Sequence, residues 1–294
     1  MTGWLIYRIK DAQKNKGYID FYFEEGKKLA INIKLILVDK LTFGVKNNNL
    51  FLEYDCDSLT KDDNGIIKPD FVINRSRYPL LTKHLEDMDI KVFNNFKVAD
   101  ICNDKAKTYQ YISRLGIPSI DTKFIKVEYQ KEALNNINSP TIIKSVSGHG
   151  GNQVYLLDPE KDKEDKKKKI LSAVKNTDVV IQPLVGNKGQ DLRVYIIGKT
   201  IIAAILRTAT SGFKSNYSLG GHVRSYVLSP KDVDITTRII NEFDFGLVGI
   251  DFLIDDNGGL VFNEIEDVVG ARMLYQCTDI NLVNLYLKHI LTQI

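Results

Sequence analysis

Apolar and polar positions change period several times along the chain, and each change marks an element. "GWLIYR" (Gly3–Arg8) is a short apolar run that reads as a strand. "NKGYIDFYFEEGKKLAINIKLILVD" reads as a helix followed by a second strand ending near Val38–Asp39. "PDFVINRS" (Pro69–Ser76) is another strand of a buried sheet. "PLLTKHLEDMDIKVFN" (Pro79–Asn94) is a helix with proline in its first turn, then a short strand. Strands alternating with helices predict an open, partly parallel sheet over residues 1–97.

A new helix follows in "DICNDKAKTYQYISRLGIP", with Asn103 or Asp104 as N-cap and Gly116 and Pro118 as its stop. "PTIIKSVSGHGGNQVYLL" is strand, glycine-rich loop, strand. After the charged run Lys161–Lys169 and a short helix, "DVVIQPLV" (Asp178–Val185) is a strand with a proline late in it. "DLRVYIIGKTIIAAILRTA" (Asp191–Ala209) is a hairpin turning at Gly198–Lys199, and "SGFKSNYSLGGHV" (Ser211–Val223) a long polar loop. A helix over Asp232–Phe243, a hairpin "DFLIDDNGGLVFNEIED" (Asp251–Asp267) and a final helix complete the chain. These elements divide into residues 1–97, 98–185 and 186–294, an N-terminal α/β lobe and two smaller lobes.

Composition narrows the class. Of 294 residues, 44% are hydrophobic and 26% charged, as in a soluble globular protein. No apolar run is long enough to span a bilayer, and "MTGWLIYRIK" lacks a signal-peptide layout. The three cysteines (Cys56, Cys102, Cys277) show no metal or disulfide spacing, so the expectation is a reduced, cytoplasmic protein without a membrane partner. The net charge of +3 is only mildly basic, and "KDKEDKKKK" mixes signs, which predicts a solvated helix or loop and argues against nucleic acid.

The candidate chemistry lies in the second half. Glu264 and Glu266 are two apart and share a strand face, and Asp251 joins them from the partner strand if the register allows. Three carboxylates on a half-buried sheet repel unless a cation is present, and oxygen-only donors favour Mg²⁺. The competing reading is an ordinary exposed hairpin. In "KSVSGHGGNQV" (Lys144–Val154) the glycines allow backbone N–H groups to approach an anion, although a flexible hairpin tip reads the same way. His149 in this loop is a weak candidate base. Lys105 sits in a first helical turn, where the dipole disfavours a cation unless an anion binds nearby. Arg193 and Arg207 fall on adjacent strands, a like-charge pairing that calls for an anion unless this hairpin face is simply exposed, and Lys214, Ser215 and Asn216 add phosphate-binding chemistry.

With these residues in view, the chain resembles the ATP-grasp superfamily of carboxylate–amine ligases, and within it the RimK-type branch, which adds glutamate or similar amino acids to peptides and proteins. "VINRSR", "NDKAKTYQYISRLGIP", "PTIIKSVSGHGGNQV", "VVIQPLV", "DLRVYIIG", "AAILRTA", "GFKSNYSLGG", "VGIDFL" and "FNEIED" occur in the family's order and spacing. The resemblance implies an ATP-grasp fold, an α/β (α+β) architecture in which ATP lies between two small antiparallel sheets. It implies that Lys105 and Lys144 contact the phosphates under Ser147, Gly148, Gly150 and Gly151. Pro183, Leu184 and Val185 would meet adenine, Asp191 the ribose, and Lys214, Ser215 and Asn216 would complete the site. Asp251, Glu264 and Glu266 would hold Mg²⁺ or Mn²⁺, and Arg207 with Arg193 would neutralise an acyl phosphate attacked by an amine. The substrate would be an amino acid, peptide or protein; ligases of this kind often self-associate. The family commonly has Asn where this chain has Glu266, and the small-residue and proline run usual after that motif is absent from "VVGARML". Arg75, Arg77 and Arg272 hint at an acidic acceptor. A small-molecule dipeptide-type ligase, a kinase stopping at the acyl phosphate, and an ATP-binding regulatory protein without turnover are the competing readings.

Overall fold

The computed structural model describes residues 1–55, 57–58, 68–151, 153–185, 189–209 and 222–294; Lys214, Ser215 and Asn216 lie outside these. The chain begins with β1 (Thr2–Tyr7), α1 (Ile9–Lys14), α2 (Lys16–Lys28) and β2 (Asn32–Leu37). It continues with β3 (Leu41–Lys46), β4 (Asn49–Tyr54), β5 (Asp57–Ser58), β6 (Phe71–Asn74), α3 (Pro79–Asp87) and β7 (Val92–Phe93). β2, β1, β6 and β7 lie side by side in that order, and every pairing is parallel. A parallel sheet needs cover on both faces, and alternation along β1 supplies two contacts. Leu5 and Tyr7 pack with Ile19 and Tyr22 of α2, while Trp4 and Ile6 pack with Leu81 and Leu85 of α3 and Leu52 of β4. The β3–β4 hairpin adds to the predicted elements. Its turn holds Asn47 and Asn48 at φ 50° and 61°, a conformation asparagine tolerates better than most residues.

α4 (Phe96–Cys102), also unpredicted, leads into α5 (Lys105–Ile112). The Asp104 side chain caps α5 by accepting from the Lys107 N–H at 3.1 Å, and Gly116 turns the chain away at φ 62°. β8 (Lys123–Ile125), α6 (Gln130–Asn135), β9 (Thr141–Ser145), β10 (Val154–Leu157), α7 (Glu164–Val174) and β11 (Val179–Pro183) follow. Their antiparallel sheet, ordered β10-β9-β11-β8, has its own core around Leu134, Ile143, Leu157 and Val179. The basic run falls largely within α7, which buries only Ile170 and Val174, so the solvated-helix reading is right.

The last sheet contains β12 (Gln190–Ile197), β13 (Thr200–Thr208), β14 (His222–Tyr226), β15 (Leu247–Ile254) and β16 (Leu260–Glu266). α8 (Pro230–Glu242) precedes β15, and α9 (Arg272–Cys277) and α10 (Leu282–Leu291) follow β16. Its order is β14-β13-β12-β15-β16, antiparallel throughout. One face (Leu192, Val194, Leu206, Ile250, Phe252) packs against Val98, Ile112, Ile235 and Ile239, which ties α4, α5 and α8 to this sheet. The other face begins with Tyr195, Ile197, Ile205 and Leu247, which share a core with α2 and α10. Further along the same face, period two places Asp191, Arg193, Arg207 and Asp251. The central and last sheets are thereby left facing one another across a cleft.

Candidate active site

Two lysines join the cleft walls. Lys144, near the end of β9, donates from Nζ to Asn263 Oδ1 of β16 at 2.8 Å. Lys105, the first residue of α5, donates to the Gly148 carbonyl and lies 3.3 Å from Glu264 Oε2. Its backbone N–H donates to the Val146 carbonyl at 2.9 Å, which docks the helix start on the glycine-rich loop. Desolvation pushes the Lys144 ammonium down to about 8; Glu264 opposes that shift and Lys105 adds to it. Lys144 is a cation whose nearest hydrogen-bond partner is a neutral amide.

The arginines on the last sheet are treated differently. Arg193 grips Asp251 with Nε to Oδ1 and Nη2 to Oδ2, both at 2.7 Å. Arg207 pairs with Asp191 through Nε and Nη2, and also donates to Asp251 Oδ2 at 2.7 Å. Arg193 Nη1 reaches Glu266 Oε2 at 2.6 Å. The pattern follows from register, since Asp191 stands opposite Arg207, Arg193 opposite Asp251, and Asp251 opposite Glu264. Burial would raise the Asp251 carboxyl, but Arg193 and Arg207 outweigh it and hold it well below the usual carboxylate range. The sequence suggested that this arginine pair calls for an anion; the protein's own carboxylates supply it. The exposed-hairpin readings of both hairpins fail, because Arg193, Arg207, Asp191 and Asp251 are all buried.

The remaining candidates fall on the same cleft or its neighbours. Pro183, Leu184, Val185, Asp191, Gly148 and Gly151 line a slot with Lys105, Lys144 and Glu264. The Leu184 N–H is already given to the Pro140 carbonyl at 3.2 Å. Ser147, Gly148 and His149 also border a second hollow of about 450 Å³ with Arg77, Glu264 and Glu266. Gly150 borders a third, of about 550 Å³, with Arg193, Arg207 and Glu266. Burial pushes His149 below the ordinary imidazole range, and Arg77 pushes it the same way.

Sequence reasoning missed three supports. Asn263, inside "FNEIED", holds Lys144. Asp267 accepts from Asn94 Nδ2 at 2.5 Å and from Asn103 Nδ2 at 2.8 Å, fixing the strand end beside Glu266 to the start of α5. Gly249 makes room for Arg193, since a Cβ there would lie 2.7 Å from Val269 Cγ2 and 3.3 Å from Arg193 Cδ. Asn263 and Asp267 flank the paired glutamates in the sequence, which was the available signal.

The donor set suits a hard divalent ion that also takes phosphate oxygens, because Mg²⁺ commonly needs only one or two protein carboxylates. Glu264 and Glu266 are partly open to the cleft, with side chains 28% and 18% exposed. Among the described residues no cluster of three or more His, Cys, Asp or Glu is arranged to hold a metal unaided. Asp251 accepts three arginine N–H bonds, against about four acceptor positions on a carboxylate.

Two antiparallel sheets closing on a lysine-lined cleft define the architecture of the ATP-grasp ligases. Residues 102–290 match the RimK-like ATP-grasp domain, and the chain belongs to that family. It is accordingly an ATP-dependent ligase that forms carbon–nitrogen bonds, as the resemblance implied. An uncharacterized protein of Mycoplasma genitalium is 25% identical over 98% of this chain and 92% of its own length. A probable alpha-L-glutamate ligase of Legionella pneumophila is 27% identical over 71% of this chain and 69% of its own. Among solved structures, the VanG D-Ala:D-Ser ligase of Enterococcus faecalis superposes with a TM-score of 0.75 at 15% identity, covering 100% of this chain and 99% of that one, a likeness of fold. Among the described residues no helix is long and apolar enough to cross a membrane.

Proposed function

We propose that this ligase activates a substrate carboxylate with ATP as an acyl phosphate and transfers the acyl group to an amine, with an amino acid, peptide or protein as acceptor. One observation carries the reading: Lys105 and Lys144 face Glu264 across the cleft, with Glu266, Arg193 and Arg207 beyond it. In this reading the adenine edge meets Pro183, Leu184 and Val185. The Leu184 N–H is committed, so Val185 is the next donor along the chain. Asp191 lies by the ribose. Ser147, Gly148, Gly150 and Gly151 cover the phosphates, and Lys214, Ser215 and Asn216 belong to the same site on sequence grounds. Glu264 and Glu266 hold Mg²⁺ or Mn²⁺, with Asp251 contributing its remaining acceptor position. The ion supplies neutralisation of phosphate charge.

The chain's own groups then position and neutralise, which is most of what phosphoryl transfer requires. A carboxylate oxygen attacks the γ-phosphorus, and the bond to the ADP oxygen breaks. The amine nitrogen attacks the acyl carbon, phosphate leaves with its bridging oxygen, and the amine gives up a proton. Arg193 and Arg207 face the carbonyl and phosphate oxygens as charge gathers there. ADP formation from Mg²⁺-ATP should be measured against amino acids, dipeptides and acidic peptides, with mass spectrometry of the products. A product heavier by one condensation is expected; ADP release that is indifferent to the amine would point to a kinase instead.

A further inference from the structure

The slot and the second hollow share Lys105, Gly148, His149, Asn263 and Glu264, so one opens into the other at these residues. Pro183, Leu184 and Val185 line the slot alone. A nucleotide laid with its adenine at that end therefore points its last phosphate into the hollow. Four lysine or arginine side chains of the described residues line the hollow: Arg8, Arg77, Lys105 and Lys107. Three of them are engaged. Arg8 Nε donates to the Ser76 carbonyl at 3.0 Å, Lys105 meets Gly148 and Glu264, and Lys107 pairs with Asp100 at 2.6 Å. Arg77 forms neither a hydrogen bond nor an ion pair with any described residue. It is partly exposed, and the space it opens on is the hollow. Burial pushes its guanidinium below the ordinary arginine range; Glu266 opposes that shift and Arg75 adds to it.

The backbone holds Arg77 in an unusual place. Its φ is 54°, a left-handed conformation that non-glycine residues adopt uncommonly. On the N-terminal side Asn74, Arg75 and Ser76 are all buried. Asn74 Oδ1 accepts from the Ser76 N–H at 3.0 Å and from its hydroxyl at 2.6 Å, while Asn74 Nδ2 donates to Thr82 Oγ1 of α3 at 2.9 Å. On the C-terminal side Pro79 opens α3. Strain of this kind persists where the surroundings over-determine it, and it gathers at ligand clamps. Arg75, two residues earlier, borders the third hollow and is enclosed instead. Its Nη2 donates to the Val269 carbonyl at 2.8 Å, Tyr7 and Tyr18 stand over its guanidinium, and Tyr22 and Tyr275 pack on Tyr18.

We propose that Arg77 contacts the γ-phosphoryl group of the bound nucleotide, a third cation brought to the phosphates by the N-terminal lobe. A guanidinium presents a planar fork of donors that matches two phosphoryl oxygens at once. The assignment rests on the ligase reading above, which lays the nucleotide along the slot. In the transfer step, the carboxylate oxygen bonds to the γ-phosphorus and the bond to the ADP oxygen breaks. Arg77 forms no covalent bond and moves no proton; it neutralises charge on the oxygens of the transferred group.

The test measures binding of Mg²⁺-ADP and of Mg²⁺-AMPPNP, a non-hydrolysable ATP analogue, to the full chain by calorimetry with no acceptor present. Arg77→Gly removes the guanidinium and suits the left-handed backbone, so the turn survives. Arg77→Gln keeps a polar side chain but no charge. Each variant should weaken AMPPNP by about tenfold or more and leave ADP within about twofold of wild type, as expected for one charge-assisted contact to the last phosphate. AMPPNP affinity unmoved in both variants would overturn the proposal and leave Arg77 to an acceptor carboxylate. Equal weakening of both nucleotides would overturn it too, since that is the mark of a structural role. A wild-type chain that binds neither nucleotide would defeat the ligase reading itself, and the Arg77 contact with it.

Discussion

Two sets of buried arginine border one cavity and are balanced in opposite ways. Arg193 and Arg207 are answered inside the protein by Asp251, Asp191 and Glu266, in bidentate contacts fixed by strand register. Arg75, equally buried, has a carbonyl and aromatic rings. Lys144 resembles Arg75 in this respect, with Asn263 as its hydrogen-bond partner and an ammonium pushed down to about 8. Cations balanced internally are already oriented before any ligand arrives. Cations left short of negative charge carry a standing desolvation cost that an anionic ligand would relieve.

The largest effect should come from breaking an internally balanced pair. Arg207→Met leaves Asp191 and Asp251 short of a buried partner and should cost about 3–5 kcal/mol of folding stability, read by urea denaturation at neutral pH. The Asp251 carboxyl is held low in the fold, so this stability is present above the ordinary carboxylate range and is lost as pH falls below it. The variant's acid-unfolding midpoint should therefore shift upward in pH, and an unmoved midpoint would remove Asp251 from that role.

Lys144→Ala should behave in the contrary way, with stability nearly intact and ATP turnover reduced by about 10²–10³, as when one donor to a transition-state oxyanion is lost. Near-normal turnover would take Lys144 out of the phosphate site. Glu264→Gln should raise the Mg²⁺ needed for half-maximal rate by at least about tenfold; an unchanged requirement would remove the glutamate pair from the metal site. For Lys144 itself, the folded value lies below the ordinary ammonium range. Its destabilising contribution is therefore full below about pH 8 and is relieved as pH rises from there toward the unfolded lysine range. Affinity for Mg²⁺-ATP should run oppositely, weakening by up to about tenfold per pH unit above 8 as the free ammonium loses its proton. A flat profile there would show that Lys144 stays charged. The smallest effect is steric: Gly249→Ala sets a methyl against Val269 and Arg193 and should cost about 1–3 kcal/mol, seen as a lowered urea midpoint.

Much of this was legible in the residues. Alternation and turn residues gave the paired strands around "SGHGG", Gly198–Lys199 and "DDNGG"; the N-cap of α5 followed from Asp104, and Gly116 ends the 3-10 turn that continues the helix. The β3–β4 hairpin carried its own signal in Asn47 and Asn48, and α4 was hidden because its seven residues are too few to show a period. In the site, Lys105, Lys144, Glu264 and Glu266 could be picked out by residue type and position. Which carboxylate meets which arginine could not, because it depends on cross-strand register. Both hairpins slip register near the decisive residues, at Tyr195–Ile196 and at Asp251–Phe252. Arg75 gave only a weak hint, since its isolation depends on four tyrosines distant in the sequence.

Oxygen transfer tests the proposed chemistry most directly. With a substrate carboxylate labelled with oxygen-18, the released phosphate should carry one labelled atom per amide formed, because that oxygen leaves with phosphorus when the amine displaces it. Amide formed with unlabelled phosphate would contradict activation of the carboxylate as an acyl phosphate.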